Sequence, residues 1–479
     1  MQRIFFSNLM LMVLLNLLIK PIALFGIDAT VQNRVGPENY GLYFSLLNLS
    51  VLFNILLDFG INNYTTKNLA QNPEEVKKYF GRVFTFRLVL FSLYSLFTFA
   101  LALFLGYTGR PLFLLSFLIL NQLLVLTIAY FRSHFAGFHF FKTDAFISIL
   151  DRGLLILIGG VLLFSPWAPE NFKIEWFIWV QTFCFATTLV VGFVLLIKHL
   201  KRPYFSWDPS FSIDLIKKSW PYALLIVLML LSYRIDGVML ERIHVNGAYE
   251  SGVYAQGFRL LDALYMFGMI FAGLLFPLFS KQLKESIPAV LELVRNSANL
   301  LLSGVIIIIF ITCFNSPYIL GLIYTDFSEA VAPFRFLMIG FFPISMNFIF
   351  GTLLTANGNL KALNLISLGG VIANVCINIL LIPTHGALGA AIATCCTQVI
   401  TALIQYIYCV INFQIPVKTM GAIKFGVLIL SLYLISHLLK GSDLLIPAQL
   451  FLGLFLTFSM SLIDLKSMKK LYFSSSRIK

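Results

Sequence analysis

Long apolar stretches of about 20 residues, separated by short polar breaks, run from one end of the chain to the other. A helix of that length crosses the ~30 Å hydrocarbon layer, whereas a barrel strand would show ~10-residue segments of alternating polarity. The pattern predicts an all-helical polytopic membrane protein with about fourteen spans, at 5–31, 41–65, 83–105, 112–134, 145–164, 176–197, 220–243, 253–279, 298–315, 332–354, 363–382, 387–411, 423–439 and 446–464. The stretch 4–28 reads as the first span and not as a cleaved signal, because its apolar run is too long, no small-x-small site follows and Lys20 interrupts it.

Composition agrees with the pattern. With 59% hydrophobic and 11% charged residues, a chain of 479 has too little polar surface for a soluble globule. The net charge of +13 is distributed unevenly. Alternate loops on one side hold Arg3, Lys67, Lys77, Lys78, Arg132, Lys142, Lys198, Lys217 and the basic tail from Lys466; the other side holds Arg34, Arg110, Lys173, Arg242 and Lys440. That bias predicts both termini in the cytoplasm and makes the basic charge an orientation signal, not a nucleic-acid footprint. The six cysteines lie in apolar spans without a Cys-x-x-Cys, and no two histidines have metal spacing, so neither a metal nor a disulfide framework is expected.

One pattern occurs twice. Ile27-Asp28, Arg34, Gly41 and Tyr43 are echoed by Ile235-Asp236, Arg242, Gly252 and Tyr254, with equal Asp-to-Arg spacing and a loop three residues longer in the second copy. Lys142 with Ile147-Ser148 is matched in the same way by Lys361 with Ile366-Ser367. A repeat unit of six spans enters the membrane twice from the same side, giving two parallel lobes around a central cavity. The expected organisation is an N-terminal lobe over 1–200, a cytoplasmic linker over 201–219 with Trp207 and Trp220 at headgroup depth, a second lobe over 220–412, and two extra helices with a basic tail over 413–479.

The run Arg34-Val-Gly-Pro-Glu-Asn-Tyr-Gly-Leu-Tyr43, followed by Leu57-Asp-Phe-Gly-Ile61, resembles the opening of the polysaccharide (O-antigen-type) flippases of the multidrug/oligosaccharidyl-lipid/polysaccharide exporter superfamily. Arg234-Ile-Asp-Gly-Val-Met239 with Gly252-Val-Tyr254 is similar to their seventh and eighth helices, and Ile382-Pro-Thr-His-Gly-Ala-Leu-Gly-Ala-Ala-Ile-Ala-Thr394 to the join of their eleventh and twelfth. The resemblance implies two six-helix lobes, two extra helices and the flipping of a sugar on undecaprenyl pyrophosphate across a bacterial inner membrane, for O-antigen, capsule or exopolysaccharide. The implied partners are the lipid-linked oligosaccharide, membrane lipids and other polysaccharide-assembly membrane proteins. No Gly-x-x-x-x-Gly-Lys-Ser/Thr occurs, and no cofactor is expected beyond a coupling proton or sodium ion.

Charges carried into hydrocarbon mark the candidate site, since each costs ~2.5 to 3.5 kcal/mol unless it faces a cavity or a partner. Lys20, Arg152, Arg234 and Arg259 are the candidate pyrophosphate ligands, because charge-assisted donors suit phosphate oxygens. Asn62, Gln256, Asn374 and Asn378 are the candidate sugar ligands; Asp28, Asp236 and Asp262 are the candidates for ion coupling. The same residues also fit structural pairs, since Asp151 precedes Arg152 and Asp236 lies two residues from Arg234. Arg87 fits a snorkelling cation as well as a binding one. A cation-coupled multidrug exporter is the alternative transporter, disfavoured by the excess of Arg and Lys over acids within the spans. A polytopic assembly enzyme is the third class, and the loops outside the membrane offer it only Asp326 and Glu329, in a solvated turn.

Overall fold

The computed structural model describes residues 16, 18–59, 61–62, 65, 76–138, 140–166, 169, 171–200, 207–416 and 419–462. Directly after Lys20-Pro21 the chain widens into a π-helical stretch, Ile22–Asp28, which runs into α1 (Ala29–Leu52). Then follow α2 (Val76–Phe104), α3 (Arg110–Gly137), α4 (Phe141–Phe164), α5 (Ile174–Leu200), α6 (Pro209–Ile243), α7 (Gly247–Glu285) and α8 (Ile287–Phe314). The chain continues with α9 (Ser316–Gly321), α10 (Val331–Ala356), α11 (Leu360–Phe413), α12 (Thr419–Leu438) and α13 (Leu445–Ser459).

Ten of these helices are long and apolar enough to cross a membrane. Two helices, α1 and α11, contain a break that turns the chain back. In α1 it is Gly36, at φ 78°, a left-handed conformation that glycine adopts without a Cβ penalty; Pro37 opens the next helical run where its missing N–H costs nothing. In α11 it is Gly386, at φ 51°, three residues after Pro383. Counting both arms of α1, both arms of α11 and the shorter α13 gives fourteen passes among the described residues. The large exposed side chains are leucine, isoleucine, valine and phenylalanine along the outward faces, as lipid contact requires. The linker expected as a loop over 201–219 is instead helical from Pro209, where proline suits a first helical turn, and is continuous with the following span.

The chain packs as two compact units, residues 1–255 with 323–326, and residues 256–322 with 327–479. This division by packing falls at Ala255, whereas the lobe boundary expected from the repeat lies at 201–219; α6 and the first turns of α7 are packed with the first-repeat helices.

In the first unit α1 lies against α3 and α6, and α4 against α5 and the π-helical stretch. An apolar cluster of Ile55, Ile61, Phe80, Val83, Phe86, Phe131 and Phe135 surrounds a buried ion pair. Arg87 donates to Asp58 at 2.5 Å and to the carbonyl of Leu126 at 2.8 Å, and its guanidinium lies 4.8 Å from the Tyr130 ring centre. Arg87 is therefore a buried strut between α2 and α3, and the snorkelling reading falls. His134, expected near a span end, is fully buried against Phe80 and Tyr130.

In the second unit α10 packs on α8 and α11, while α12 and α13 pack on each other and on α8. The α8–α12–α13 join combines Ile306, Ile307, Leu428, Leu432 and Leu462 with a buried amide clamp. Gln449 donates to Ser436 at 2.7 Å and to the carbonyl of Phe310 at 3.3 Å, and accepts from Asn315 at 3.1 Å.

Two stability outcomes follow. Gln449→Leu removes three interhelical hydrogen bonds worth ~0.6 kcal/mol each in a membrane; thermal unfolding in detergent should show a midpoint a few degrees lower, and an unchanged midpoint would contradict the clamp. Arg87→Leu leaves Asp58 buried without its cation, a loss of ~3 to 5 kcal/mol, so folded yield should collapse, and the double change Arg87→Leu with Asp58→Leu should recover part of it.

Candidate functional site

The first cluster of intramembrane charge forms where the π-helical stretch meets α4 in the first unit. Asp144, Ser148, Asp151 and Arg152 share a face of α4 through their i, i+4 and i+7/i+8 spacing. Lys20, at the entry to the π-helical stretch, feels the charges of Arg152, Arg132 and Asp151. Arg152 Nε lies 3.5 Å from Asp151 Oδ2, and its guanidinium stands 5.8 Å from the Phe185 ring centre. Arg132, near the C-terminal end of α3, pairs with Asp144 in the first turn of α4 at 2.6 Å. Asn16 donates to the Ser148 hydroxyl at 3.1 Å, adding an uncharged donor–acceptor pair to the same face. Three cations against two carboxylates leave this patch positive. The Arg152 side chain remains 38% exposed, so its pairing with Asp151 does not use up its donors.

A second set lies between α1 and α6. Arg234 Nη1 reaches Asn48 Oδ1 at 3.4 Å, and its guanidinium lies 5.0 Å from the Tyr233 ring centre. The helices come close there because Gly237 has no Cβ, and one added to it would overlap the Asn48 amide.

The duplicated aspartates are both buried and both held by tyrosine. Asp28 accepts from the Tyr40 hydroxyl at 2.7 Å, and Asp236 from the Tyr254 hydroxyl at 3.2 Å. In the second copy the partner is the tyrosine of the Gly-x-Tyr pattern. In the first it is Tyr40; Tyr43 instead exchanges hydrogen bonds with Gln181 at 3.1 and 3.3 Å. The duplicated arginines also share a role. Arg34 donates to the carbonyl of Leu163 at the end of α4, and Arg242 to that of Leu105 just past α2, each satisfying a carbonyl left open by a helix end.

Sequence reasoning missed the groups around those turns. Tyr107 donates to Glu241 at 2.5 Å and receives Ser45 at 3.0 Å, while Arg242 grips the same Glu241 at 2.5 Å and lies 3.8 Å from the Tyr107 ring centre. Burial first, then the Glu241 carboxylate, pushes the Tyr107 hydroxyl above its usual range, so it stays a donor. Gln32 donates to the carbonyl of Gly252 at 2.8 Å, and Asn33 binds the backbone at Ile323 and Thr325. The signal available in the sequence was the unusual density of Gln, Asn and Arg just before the Gly36-Pro37 turn.

The remaining candidates lie in the second unit, apart from Asn62. Arg259 and Asp262 face each other at 3.8 Å one helical step apart on α7. Gln256 is buried one turn earlier. Asn378 donates to Asn374 at 3.0 Å, both fully buried on α11, which leaves Asn374 Nδ2 without a hydrogen-bond partner among the described residues. Asn62 is half-buried next to Ile61 in the first unit. Arg335 donates to the carbonyl of Cys313 and to Ser316 at the α8–α9 turn, a structural cap. Among the described residues no three His, Cys, Asp or Glu side chains gather into a metal site.

A search of curated proteins finds none that matches this chain. Among solved structures, the lipid II flippase MurJ in an inward closed conformation superposes with a TM-score of 0.67 at 14% identity, covering 94% of this chain and 98% of its own. An inward-facing multidrug resistance MATE family transporter of the MOP superfamily gives 0.58 at 12% identity, over 82% and 94%. A MOP superfamily transporter from Pyrococcus furiosus, described as having a binding pocket of reverse polarity, gives 0.57 at 12% identity, over 85% and 94%. At such identities the likeness establishes the fold. The family model for polysaccharide biosynthesis proteins matches residues 5–283, more than half of the chain, and the chain belongs to that family, built on the fold of the MOP superfamily transporters.

Proposed function

We propose that this protein is a transporter, not an enzyme, which carries an oligosaccharide linked to undecaprenyl pyrophosphate from the cytoplasmic to the periplasmic leaflet of a bacterial inner membrane. The product serves O-antigen, capsule or exopolysaccharide assembly, and both termini lie in the cytoplasm. The observation that carries this reading is the positive patch of Lys20, Arg132 and Arg152, set among apolar helices, with the Arg152 side chain still 38% exposed. Hydrocarbon tolerates such a cluster only where it meets an anion or water. A pyrophosphate supplies the anion, and Arg forks bind its oxygens in pairs. The cluster's own carboxylates, Asp144 and Asp151, hold the cations while no substrate is present and give way as phosphate oxygens arrive. Arg234 and Arg259 extend the cationic set, and Asn62, Gln256, Asn374 and Asn378 are the proposed partners of the sugar. The isoprenoid tail stays in lipid while the two lobes rock about the head group.

Ion coupling is a second component of the reading, favoured by the aspartate–tyrosine pairs. Asp28 ends the π-helical stretch that begins beside Lys20, and helical segments of this kind recur where a helix changes shape in function. Asp28, Asp236 and Asp262 are the proposed carriers of a coupling proton or sodium ion.

Purified protein in proteoliposomes loaded with a lipid-linked oligosaccharide tests the reading. Loss of one charge-assisted contact of ~1.5 to 3 kcal/mol should reduce translocation by Lys20→Ala or Arg152→Ala roughly 10- to 100-fold, with folding intact by size-exclusion profile. Full activity in both variants would make the cations structural. Failure of the parent on several glycan heads, with efflux of a cationic drug instead, would assign the chain to the multidrug exporters. Asp28→Asn keeps an acceptor for Tyr40 but loses the ionisable group; stimulation by an imposed pH or sodium gradient should disappear while gradient-free flipping persists, and stimulation equal to the parent's would remove Asp28 from coupling.

A further inference from the structure

The helical residues 16 and 18–21, the π-helical stretch that follows them and α4 run side by side in one register. Asn16 donates to Ser148 at 3.1 Å, and a Cβ on Gly159 would press on the Ile27 side chain at 2.9 Å; both pairs are 132 residues apart. The same offset sets Lys20 beside Arg152, and of the charged groups around Lys20 that arginine acts on it most strongly. Two parallel segments that keep one register over several turns form a ladder, with residues four apart stacked on the same face.

The rungs differ in kind. Asp144, in the first turn of α4, is taken up by Arg132. One turn on, Asn16 with Ser148 is a neutral rung of amide and hydroxyl. A further turn on, Lys20 with Arg152 is a cationic rung. Beyond it the ladder is apolar and shut: Ala23, Leu155 and Ile27 are each 3% exposed, and Ile27 fills the space that Gly159 leaves. An anion held at the cationic rung therefore has polar protein on one side of it along this ladder and apolar protein on the other. Groups attached to that anion that need hydrogen bonds are directed to the neutral rung, since burying them against Ala23 and Leu155 would forfeit their bonds to water. The rungs are one helical turn apart, about 6 Å, which is the reach of a single sugar ring.

The neutral rung suits exchange. Ser148 accepts from Asn16 and donates to the carbonyl of Ala145 at 2.8 Å, so its oxygen keeps one acceptor position. Asn16 is half-buried and carries both an amide donor and an amide acceptor. A hydrogen bond of this kind between helices is one of the weaker contacts of a membrane interior. A ring hydroxyl or acylamino group brings its own donor and acceptor, and replaces that bond without leaving a buried group unpaired. The rung carries no charge, which fits a neutral ring substituent and not a carboxylate.

We propose that Asn16 and Ser148 are the subsite for the first sugar, the one bonded to the diphosphate, and that they read the substituent at its C2, the ring carbon next to the phosphate-bearing one. The inference rests on the diphosphate reading of the cationic patch and divides that patch's work. Lys20 and Arg152 hold the part common to every such lipid. The neutral rung, one turn nearer the cytoplasm on the topology proposed above, selects among sugars.

The test is direct binding to the purified full chain in detergent, with three probes: a short-chain polyprenyl diphosphate, its glucosyl derivative and its 2-deoxyglucosyl derivative. The parent should bind the glucosyl probe more tightly than the 2-deoxy probe. Ser148→Ala and Asn16→Leu should each shrink that preference by about 3- to 10-fold, the value of one neutral hydrogen bond, whereas Ser148→Thr, which keeps the hydroxyl, should retain it. Lys20→Ala should weaken all three probes alike and leave the preference standing. A parent without the preference, or a preference unchanged in the folded Ser148→Ala and Asn16→Leu variants, overturns the subsite while the diphosphate reading stands. A preference lost equally in Lys20→Ala also overturns it, since discrimination would then belong to the whole patch. A parent that binds none of the three probes overturns the subsite and the diphosphate reading together.

Discussion

Every polar group that this chain carries into hydrocarbon must find its partner inside the protein, and most of the architecture is an answer to that requirement. Where partners are complete, the group becomes a fastener. Arg87 spends its charge on Asp58, its second donor on a helix carbonyl and its π-face contact on Tyr130. Gln449 does the same with neutral groups, fixing α12 and α13 to α8. At Arg152 the partners are incomplete, since its pairing with Asp151 leaves the side chain 38% exposed.

Backbone chemistry sets the places where this balance can shift. The π-helical stretch after Lys20-Pro21 departs from regular helix at the segment linking the cationic patch to Asp28. Pro21 removes one backbone donor, and the widened helix absorbs the mismatch. The breaks at Gly36 and Gly386 follow a different logic, because each turns the chain through a conformation with positive φ that a side chain would oppose. Regular apolar helix runs between these irregular points.

The spans were readable because hydrocarbon thickness imposes one length on every crossing, so the breaks at Pro37, Pro209 and Pro383 could be located from composition alone. The candidate charges were readable for the same reason. Partner identities were not. Nothing in the chain says that Arg132 reaches back to Asp144, or that Asp28 chooses Tyr40 over Tyr43, since both tyrosines lie one turn apart on the same arm and only the turn at Gly36 decides which faces the carboxylate. The linker over 201–219 shows the same thing: its charge suggests a loop, whereas the chain is helical from Pro209 on, continuous with the rest of α6. Tyr107, Glu241 and Gln32 escaped notice because turn residues carry no periodicity, and their importance comes from groups more than a hundred residues away.

The two copies of the repeat differ in a way that bears on how they cooperate. Aspartate and its tyrosine are 12 residues apart in the first copy and 18 in the second, yet both pairs form. The first copy turns sharply on Gly36-Pro37, which brings Tyr40 back onto Asp28 within a single tight hairpin. In the second copy Glu241 and Arg242, which precede the longer connection, reach Tyr107 and Leu105. The difference that matters is one of sequence and not of length: Glu241 stands where the first copy has Asn33, at equal spacing from the aspartate, and gives the second copy a carboxylate that meets the Tyr107 phenol. Duplication builds the two halves, and the departure from duplication is what joins them.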